Sequence, residues 1–369
     1  MKRERPYRLI ISGGGTGGHI FPAIAIASTF KERYPDGEIL FVGASGKMEM
    51  NRVPEAGYKI IGLSISGIQR KLAFSNLLFP FRLLASYFKA KEIVKQFHPD
   101  VVVGTGGYAS GPIMMAAQTL RIPTLIQEQN SYAGLANRQL AGKAAKICVA
   151  YAGMEKYFRG KAVVLTGNPV RKDLLNLTEK REAALNHFIF NARERTLLIV
   201  GGSLGAKTIN ESILYGLDKL IDAHVQVVWQ TGKIYYDKIK SETAGKDLRS
   251  IRIYDFINQM DLAYAVGDVV ISRAGALAIS ELCIAGKPAI LVPSPNVAED
   301  HQSKNADALV RADAAVMIRD SEAMKDLVDE ALKLLYDKDR ADRLGDHISK
   351  LGKPNATEAI VDEIEKLIE

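Results

Sequence analysis

Five glycines fall within the seven residues Gly13 to His19, which read GGGTGGH. A backbone without Cβ can turn sharply and let a ligand approach closely. Where such a turn opens a helix, unpaired N–H groups and the helix dipole favour anionic oxygens. His19 closes the turn, and an imidazole of near-neutral pKa suits a general base that takes the proton of a hydroxyl. A second turn, GGSLGA, adds the hydroxyl of Ser203 where its helix begins, and a third, GTGGYASGP (104–112), again follows an apolar strand. Three such turns point to a ligand with several phosphates, or to two phosphorylated ligands.

Other chemistries fit less well. Gly13, Gly15 and Gly18 satisfy GxGxxG, but the second strand ends FVGASG (41–46) with no carboxylate to hold a ribose, which argues against a dinucleotide site. Neither GGGTGGH nor GGSLGA carries a GKS or GKT, so a Walker-type nucleotide loop is excluded there. Cys148 and Cys283 sit in apolar runs without CxxC spacing and read as buried thiols in a reducing cytoplasm, neither disulfide framework nor zinc site. The amino-terminal stretch is basic, but its apolar run is too short for a signal peptide. No uninterrupted apolar segment approaches the roughly 20 residues that a spanning helix needs, so a soluble or peripheral protein is expected.

The elements that must hold these turns alternate between apolar strands and helical stretches, the pattern of an α/β fold with doubly wound parallel sheets. In the first half the clearest strands are 8–12, 38–43, 100–104, 124–127, 146–150 and 162–167; in the second, 196–202, 225–232, 251–256, 269–275, 289–293 and 314–319. GNPVR (167–171) breaks the pattern between them, which predicts Rossmann-like domains over 1–170 and 171–354 with a cleft between. The last stretch, ATEAIVDEIEKLIE, has helical spacing, and the helix at about 355–369 is expected to pack back on the first domain. Residues 1–170 hold 22 Lys+Arg against 10 Asp+Glu, and the remainder 27 against 32, within a total net charge of +7. An anionic partner is therefore expected for the first half alone.

Seven segments taken together resemble the MurG family: GGGTGGHIFPAIAIA, VVVGTGGYASGP, IQEQNSYAGLANR (126–138), TGNPVR (166–171), VGGSLGAKTIN (200–210), ISRAGALAISEL (271–282) and EDHQSKNA (299–306). They occur in the family's order and cover nearly the whole chain. The resemblance implies a GT-B architecture, two Rossmann-like domains facing across a cleft. It also implies inverting transfer of N-acetylglucosamine from UDP-N-acetylglucosamine to undecaprenyl-diphospho-N-acetylmuramoyl-pentapeptide (lipid I), giving lipid II for peptidoglycan.

Carried onto this sequence, the resemblance gives the donor to the second half. The backbone at Ile257 reads uracil, Glu281 takes the ribose hydroxyls, and Gln302 with His301 bonds the sugar. Ser203, Arg171 and the helix start at Ala276 and Leu277, continuing through Ala278, Ile279 and Ser280, face the diphosphate or support it. Ala278 stands where threonine is common in the family. In the first half, Thr16, Gly17, Gly18, His19 and Asn130 line the donor–acceptor junction. His19 is the preferred base and Glu128 the reserve candidate. No DxD-like pair lies in a plausible site loop, so no metal site and no required cofactor are expected.

Residues 68–97 mix Leu, Phe and Tyr with Arg70, Lys71, Arg82, Lys89, Lys91 and Lys95. Apolar rings flanked by cations suit an anionic membrane surface, and the resemblance places the enzyme on the cytoplasmic face of the inner membrane beside other cell-wall synthesis and division proteins. No nucleic-acid partner is expected, because it would leave the glycine turns unused. The rival readings are a UDP-N-acetylglucosamine 2-epimerase, a GT-B transferase with another acceptor, and a non-catalytic nucleotide-sugar-binding protein.

Overall fold

The computed structural model describes residues 5–65, 79–158, 160–202, 204–297 and 300–369. Ser203, Glu299 and the part of the expected membrane-facing stretch that runs from 68 to 78 lie outside the described residues. The chain divides into two compact units, Met1–Val170 with Asn355–Glu369, and Arg171–Pro354.

The first unit is built on seven parallel strands: β1 (Arg8–Gly13), β2 (Glu38–Ala44), β3 (Lys59–Leu63), β4 (Val101–Gly106), β5 (Thr124–Glu128), β6 (Lys146–Val149) and β7 (Val164–Leu165). Their order is β3-β2-β1-β4-β5-β6-β7. Helices cover both faces, so the central strands are apolar throughout instead of alternating with polar residues. Leu9, Ile11, Val101 and Val103 enter one core, and Ile10 and Val102 enter the other. The chain leaves β1 towards β2 on one side and returns to β4 on the other. The GGGTGG and GTGG turns therefore open side by side at the carboxyl ends of β1 and β4, the switch point where such sheets bind ligands.

One strand escaped the sequence reading. Lys59–Leu63 pairs in parallel with β2 at the sheet edge and buries only Leu63, so it lacks the continuous apolar run that marks a central strand. The helix Gly17–Arg33 begins with two glycines and contains Pro22, which is poor local helix chemistry. Packing compensates. Ile20, Ala23, Ile26, Ala27 and Phe30 are buried in one core with Ile360, Val361 and Ile364 of the terminal helix Ala356–Ile368. Arg33 reaches Asp362 at 2.5 Å and Glu365 at 3.0 Å, and Lys146 reaches Glu363 at 2.8 Å.

The second unit repeats the plan with β8 (Thr196–Val200), β9 (Gln226–Gln230), β10 (Ile251–Tyr254), β11 (Val269–Ser272), β12 (Ala289–Leu291) and β13 (Val316–Met317), in the order β10-β9-β8-β11-β12-β13. Leu197, Ile199, Val269 and Ile271 face one core, and Leu198 and Val270 the other. Its switch point lies between β8 and β11, which places Gly201 and Gly202 beside the Arg273–Ala276 segment. Cys148 and Cys283 are both free and buried, and burial pushes each thiol up to about 12. Among the described residues no helix is long and apolar enough to cross a membrane.

Candidate functional site

In the first unit the two glycine turns touch backbone to backbone. Gly107 has φ +79°, and a Cβ there would stand 2.2 Å from the Gly14 carbonyl oxygen, so glycine is required both by conformation and by space. The carboxylate of Glu49, fully buried, accepts from Gly15 N at 3.1 Å and from Ala44 N at 2.9 Å. The Gly15 N–H is thus already engaged, and the first-turn donors that the helix cannot satisfy itself are those at its start, Gly17 and Gly18. Thr16 caps that helix through its carbonyl, which accepts from His19 N at 3.1 Å and Ile20 N at 3.3 Å, and its side chain makes no capping bond. Glu49 was not singled out from the sequence, since only the fold brings it beneath the turn.

His19 is half-buried in the first turn of the helix. Its Nδ1 lies 3.0 Å from the Thr105 carbonyl and 3.1 Å from Gln129 Oε1, while the Thr105 hydroxyl donates to the His19 carbonyl at 2.8 Å. Ring and backbone are thus both held from β4 and the segment that follows β5.

Glu128, the reserve candidate for the base, is only 2% exposed. It accepts from Asn130 N (3.1 Å), Asn130 Nδ2 (3.3 Å), Gly134 N (2.9 Å) and Asn137 Nδ2 (2.8 Å). Four donors match the roughly four lone-pair positions of a carboxylate. Glu128 organises the loop 128–137 and with it the position of Asn130, a geometry that fits a structural role better than proton abstraction.

In the second unit the helix Ala276–Ala285 begins at the carboxyl end of β11, with Gly275 as its extended N-cap. The N–H groups of Ala276, Leu277 and Ala278 are first-turn donors that a helix cannot satisfy itself, whereas Ile279 N donates back to the Gly275 carbonyl at 2.9 Å. The Ser280 hydroxyl donates to the Ala276 carbonyl at 2.9 Å. The donors left over are therefore the N–H groups of the first three residues, while Ile279 and Ser280 bond within the turn.

Glu281 lies one turn further along. Its Oε1 pairs with Arg171 Nε at 3.3 Å, and its Oε2 accepts from the Tyr264 hydroxyl at 3.3 Å. Burial pushes this carboxyl above the usual range, against the opposing pull of Arg171 and the Tyr264 hydroxyl. Ile257 has its backbone N–H engaged within the second unit. Its N–H donates to Gln230 Oε1 at 2.8 Å, and Gln230 Nε2 donates to the Gly202 carbonyl at 3.1 Å. A base read at Ile257 would meet the carbonyl, or would have to displace Gln230 from the N–H.

Gln302 and His301 occupy the first turn of the helix His301–Arg311. Gln302 Oε1 accepts from Ser294 N at 2.8 Å, which fixes the amide's orientation. Asn305, from the same helix, donates to the Ala274 carbonyl at 3.3 Å and ties the helix to the segment after β11. Arg273 donates to the Val292 carbonyl at 3.0 Å and to Asp320 at 2.5 Å, bracing the loop that carries Ser294. Tyr264, Gln230 and Arg273 also escaped the sequence reading. Nothing in their local pattern distinguishes them from residues of an ordinary core or surface.

Residues 9–149 match the glycosyltransferase family 28 N-terminal domain, and residues 196–360 the glycosyltransferase family 28 C-terminal domain. The chain is 54% identical over 368 residues to a UDP-N-acetylglucosamine–N-acetylmuramyl-(pentapeptide) pyrophosphoryl-undecaprenol N-acetylglucosamine transferase of Cytophaga hutchinsonii, covering 100% of this chain and 99% of the relative. It is 55% identical to the transferase of the same name from Parabacteroides distasonis, with 99% of each covered. The crystal structure of Acinetobacter baumannii MurG superposes with a TM-score of 0.78 at 30% identity, covering 98% of this chain and 100% of that one. Two doubly wound parallel-sheet domains in sequence are the GT-B fold class, and with relatives this similar along the full length the chain belongs to the MurG family of N-acetylglucosamine transferases.

Proposed function

We propose that this protein transfers N-acetylglucosamine from UDP-N-acetylglucosamine to the C4 hydroxyl of lipid I, with inversion at the anomeric carbon, to form lipid II. The observation that carries this reading is the full-length identity of 54% and 55% to two transferases named for that reaction.

The second unit takes the donor. First-turn N–H groups of Ala276 and Leu277 meet the diphosphate, with Arg171 adding positive charge beside Glu281. Glu281 accepts from the ribose hydroxyls, and Gln302, its amide already oriented by Ser294, bonds the sugar together with His301. Ser203 serves the same diphosphate. As UDP leaves, negative charge grows on the diphosphate, so fixed N–H dipoles stabilise the transition state more than the ground state. The first unit takes the acceptor, with Thr16, Gly17, Gly18 and Asn130 around His19, which removes the hydroxyl proton.

The acceptor's lipid brings the enzyme to a membrane. On the helix Phe79–Phe97, Phe81, Leu84 and Phe88 are 71%, 54% and 58% exposed at spacings of three and four, which places them on one face. Arg82, Lys89 and Lys95 are exposed beside them, and Met115 is exposed on the helix Ser110–Thr119 that packs alongside. Apolar side chains flanked by cations support docking on anionic lipid. The face served is the cytoplasmic one, where UDP-sugars reside.

The test is release of UDP from UDP-N-acetylglucosamine with and without a short-chain lipid I analogue, with UDP-N-acetylgalactosamine as control donor. Acceptor-dependent release that prefers the glucosamine donor is the expected result. Acceptor-independent loss of donor would replace this reading with an epimerase or hydrolase. UDP binding without turnover would point to another acceptor or to a binding protein.

A further inference from the structure

Resting on the assignment of His19 as the base, we propose that Gln129 is a positioning residue that holds His19 as the tautomer with hydrogen on Nδ1 and the lone pair on Nε2. The oxygens facing Nδ1 are the Thr105 carbonyl at 3.0 Å and Gln129 Oε1 at 3.1 Å. A peptide carbonyl only accepts, so Nδ1 is the donor. The amide of Gln129 is oriented by the same rule. Its Nε2 lies 2.6 Å from the Thr105 carbonyl and 3.2 Å from the Gln127 carbonyl, and it also donates to Gln127 Oε1. The nitrogen must stand on that side, which turns the oxygen towards the imidazole.

The amide has no freedom to turn over. Gln127 Nε2 donates to Asn168 Oδ1 at 3.0 Å, and Asn168 Nδ2 donates to the Gln129 carbonyl at 3.0 Å. Gln127, Gln129 and Asn168 are all buried, so reversing one amide would leave buried donors facing donors. The closed chain of amides is a rigid template for one tautomer.

That tautomer is the one the reaction needs. The acceptor oxygen bonds to the anomeric carbon while its O–H bond breaks and the proton passes to Nε2. The bond from the anomeric carbon to the diphosphate oxygen breaks, and its electron pair leaves with UDP. The imidazolium so formed keeps Nδ1–H between two neutral carbonyl oxygens. Their dipoles stabilise the cation only as it develops, without the fixed charge that a carboxylate would place there.

Three measurements on the full chain test this. Nitrogen-15 NMR of histidine-labelled protein at alkaline pH, with His19 identified by comparison with His19→Ala, should show hydrogen on Nδ1; hydrogen on Nε2 overturns the proposal. Gln129→Glu sets a carboxylate against Nδ1 and should move the acidic limb of the kcat profile up by about one pH unit, with the donor KM within about twofold. Gln129→Met should lower kcat by roughly 10- to 100-fold with the same donor KM, in keeping with loss of an orienting partner.

If neither Gln129 variant folds, the spectrum of the unmutated chain decides. Full turnover in His19→Ala would remove the base assignment on which this rests. An inactive His19→Ala beside Gln129 variants with unchanged kcat and acidic limb would remove the role of Gln129 alone.

Discussion

Arg171 and Glu281 form an ion pair, Nε to Oε1 at 3.3 Å, although one was expected at the diphosphate and the other at the ribose. Tyr264 donates to the second carboxylate oxygen at 3.3 Å. The two charges proposed to meet the donor therefore hold each other in place. Glu281→Ala should weaken UDP binding by roughly 1–3 kcal/mol, the effect of leaving polar partners unmatched. Arg171→Ala should also weaken it, and the double variant should lose less than the sum, because each single change strands the other charge. Calorimetric titration with UDP measures all three. Strict additivity would show that the two residues act independently.

Glu128 is predicted to fail as a structural residue when replaced. Glu128→Gln turns an NH2 group towards donors such as Gly134 N or Asn137 Nδ2, so the melting temperature should fall together with kcat. Loss of roughly 1.5–3 kcal/mol is expected for hydrogen bonds to a charged group. A variant that melts like the parent yet has lost all turnover would return Glu128 to the role of base.

The exposed apolar face of Phe79–Phe97 should govern lipid binding without governing chemistry. Phe81→Ser with Phe88→Ser is expected to abolish most sedimentation with vesicles rich in anionic lipid, while turnover on a soluble short-chain acceptor stays within about twofold, since both side chains are already exposed. Raised salt should weaken vesicle binding as well. Undiminished sedimentation of the double variant would place the lipid contact elsewhere.

Acid should loosen the terminal helix through Glu363. Burial alone would raise its pKa, but the ammonium groups of Lys146 and Lys366 outweigh burial and hold it below the usual value. A lowered folded-state pKa means stability that is fully present above the unfolded value, about 4.3 for glutamate, and lost as pH falls through the folded one. Glu363→Gln should therefore destabilise by no more than about 1 kcal/mol at neutral pH, modest because the lysines are partly exposed. The difference from the parent should narrow in denaturant titrations at acid pH relative to neutral pH, as pH falls through the lowered folded-state value. An equal penalty at both pH values would mean that packing, not charge, holds Glu363.

Much of the fold could be read directly because its signals are local. Apolar runs mark β1, β4, β8 and β11 wherever both faces are covered, and glycine clusters mark where β1, β4 and β8 end. β3 escaped because an edge strand that buries only Leu63 carries no such run. The helix start at Ala276 was found from its motif, but the separation of Ala276–Ala278 as donors from Ile279 and Ser280 as support needed the hydrogen bonds.

By itself, then, the sequence determined the class of fold, the family, the glycine turns at the strand ends and the residue types around them, since each depends on spacing along the chain. The tertiary structure decided how those groups are partnered. It set Glu49 under Gly15, Gln129 against His19, Gln230 on the Ile257 N–H and Arg171 against Glu281. Hydrogen bonds and ion pairs act over about 3 Å and join residues brought together only when the strands take their order in the sheet, so no local pattern announces them.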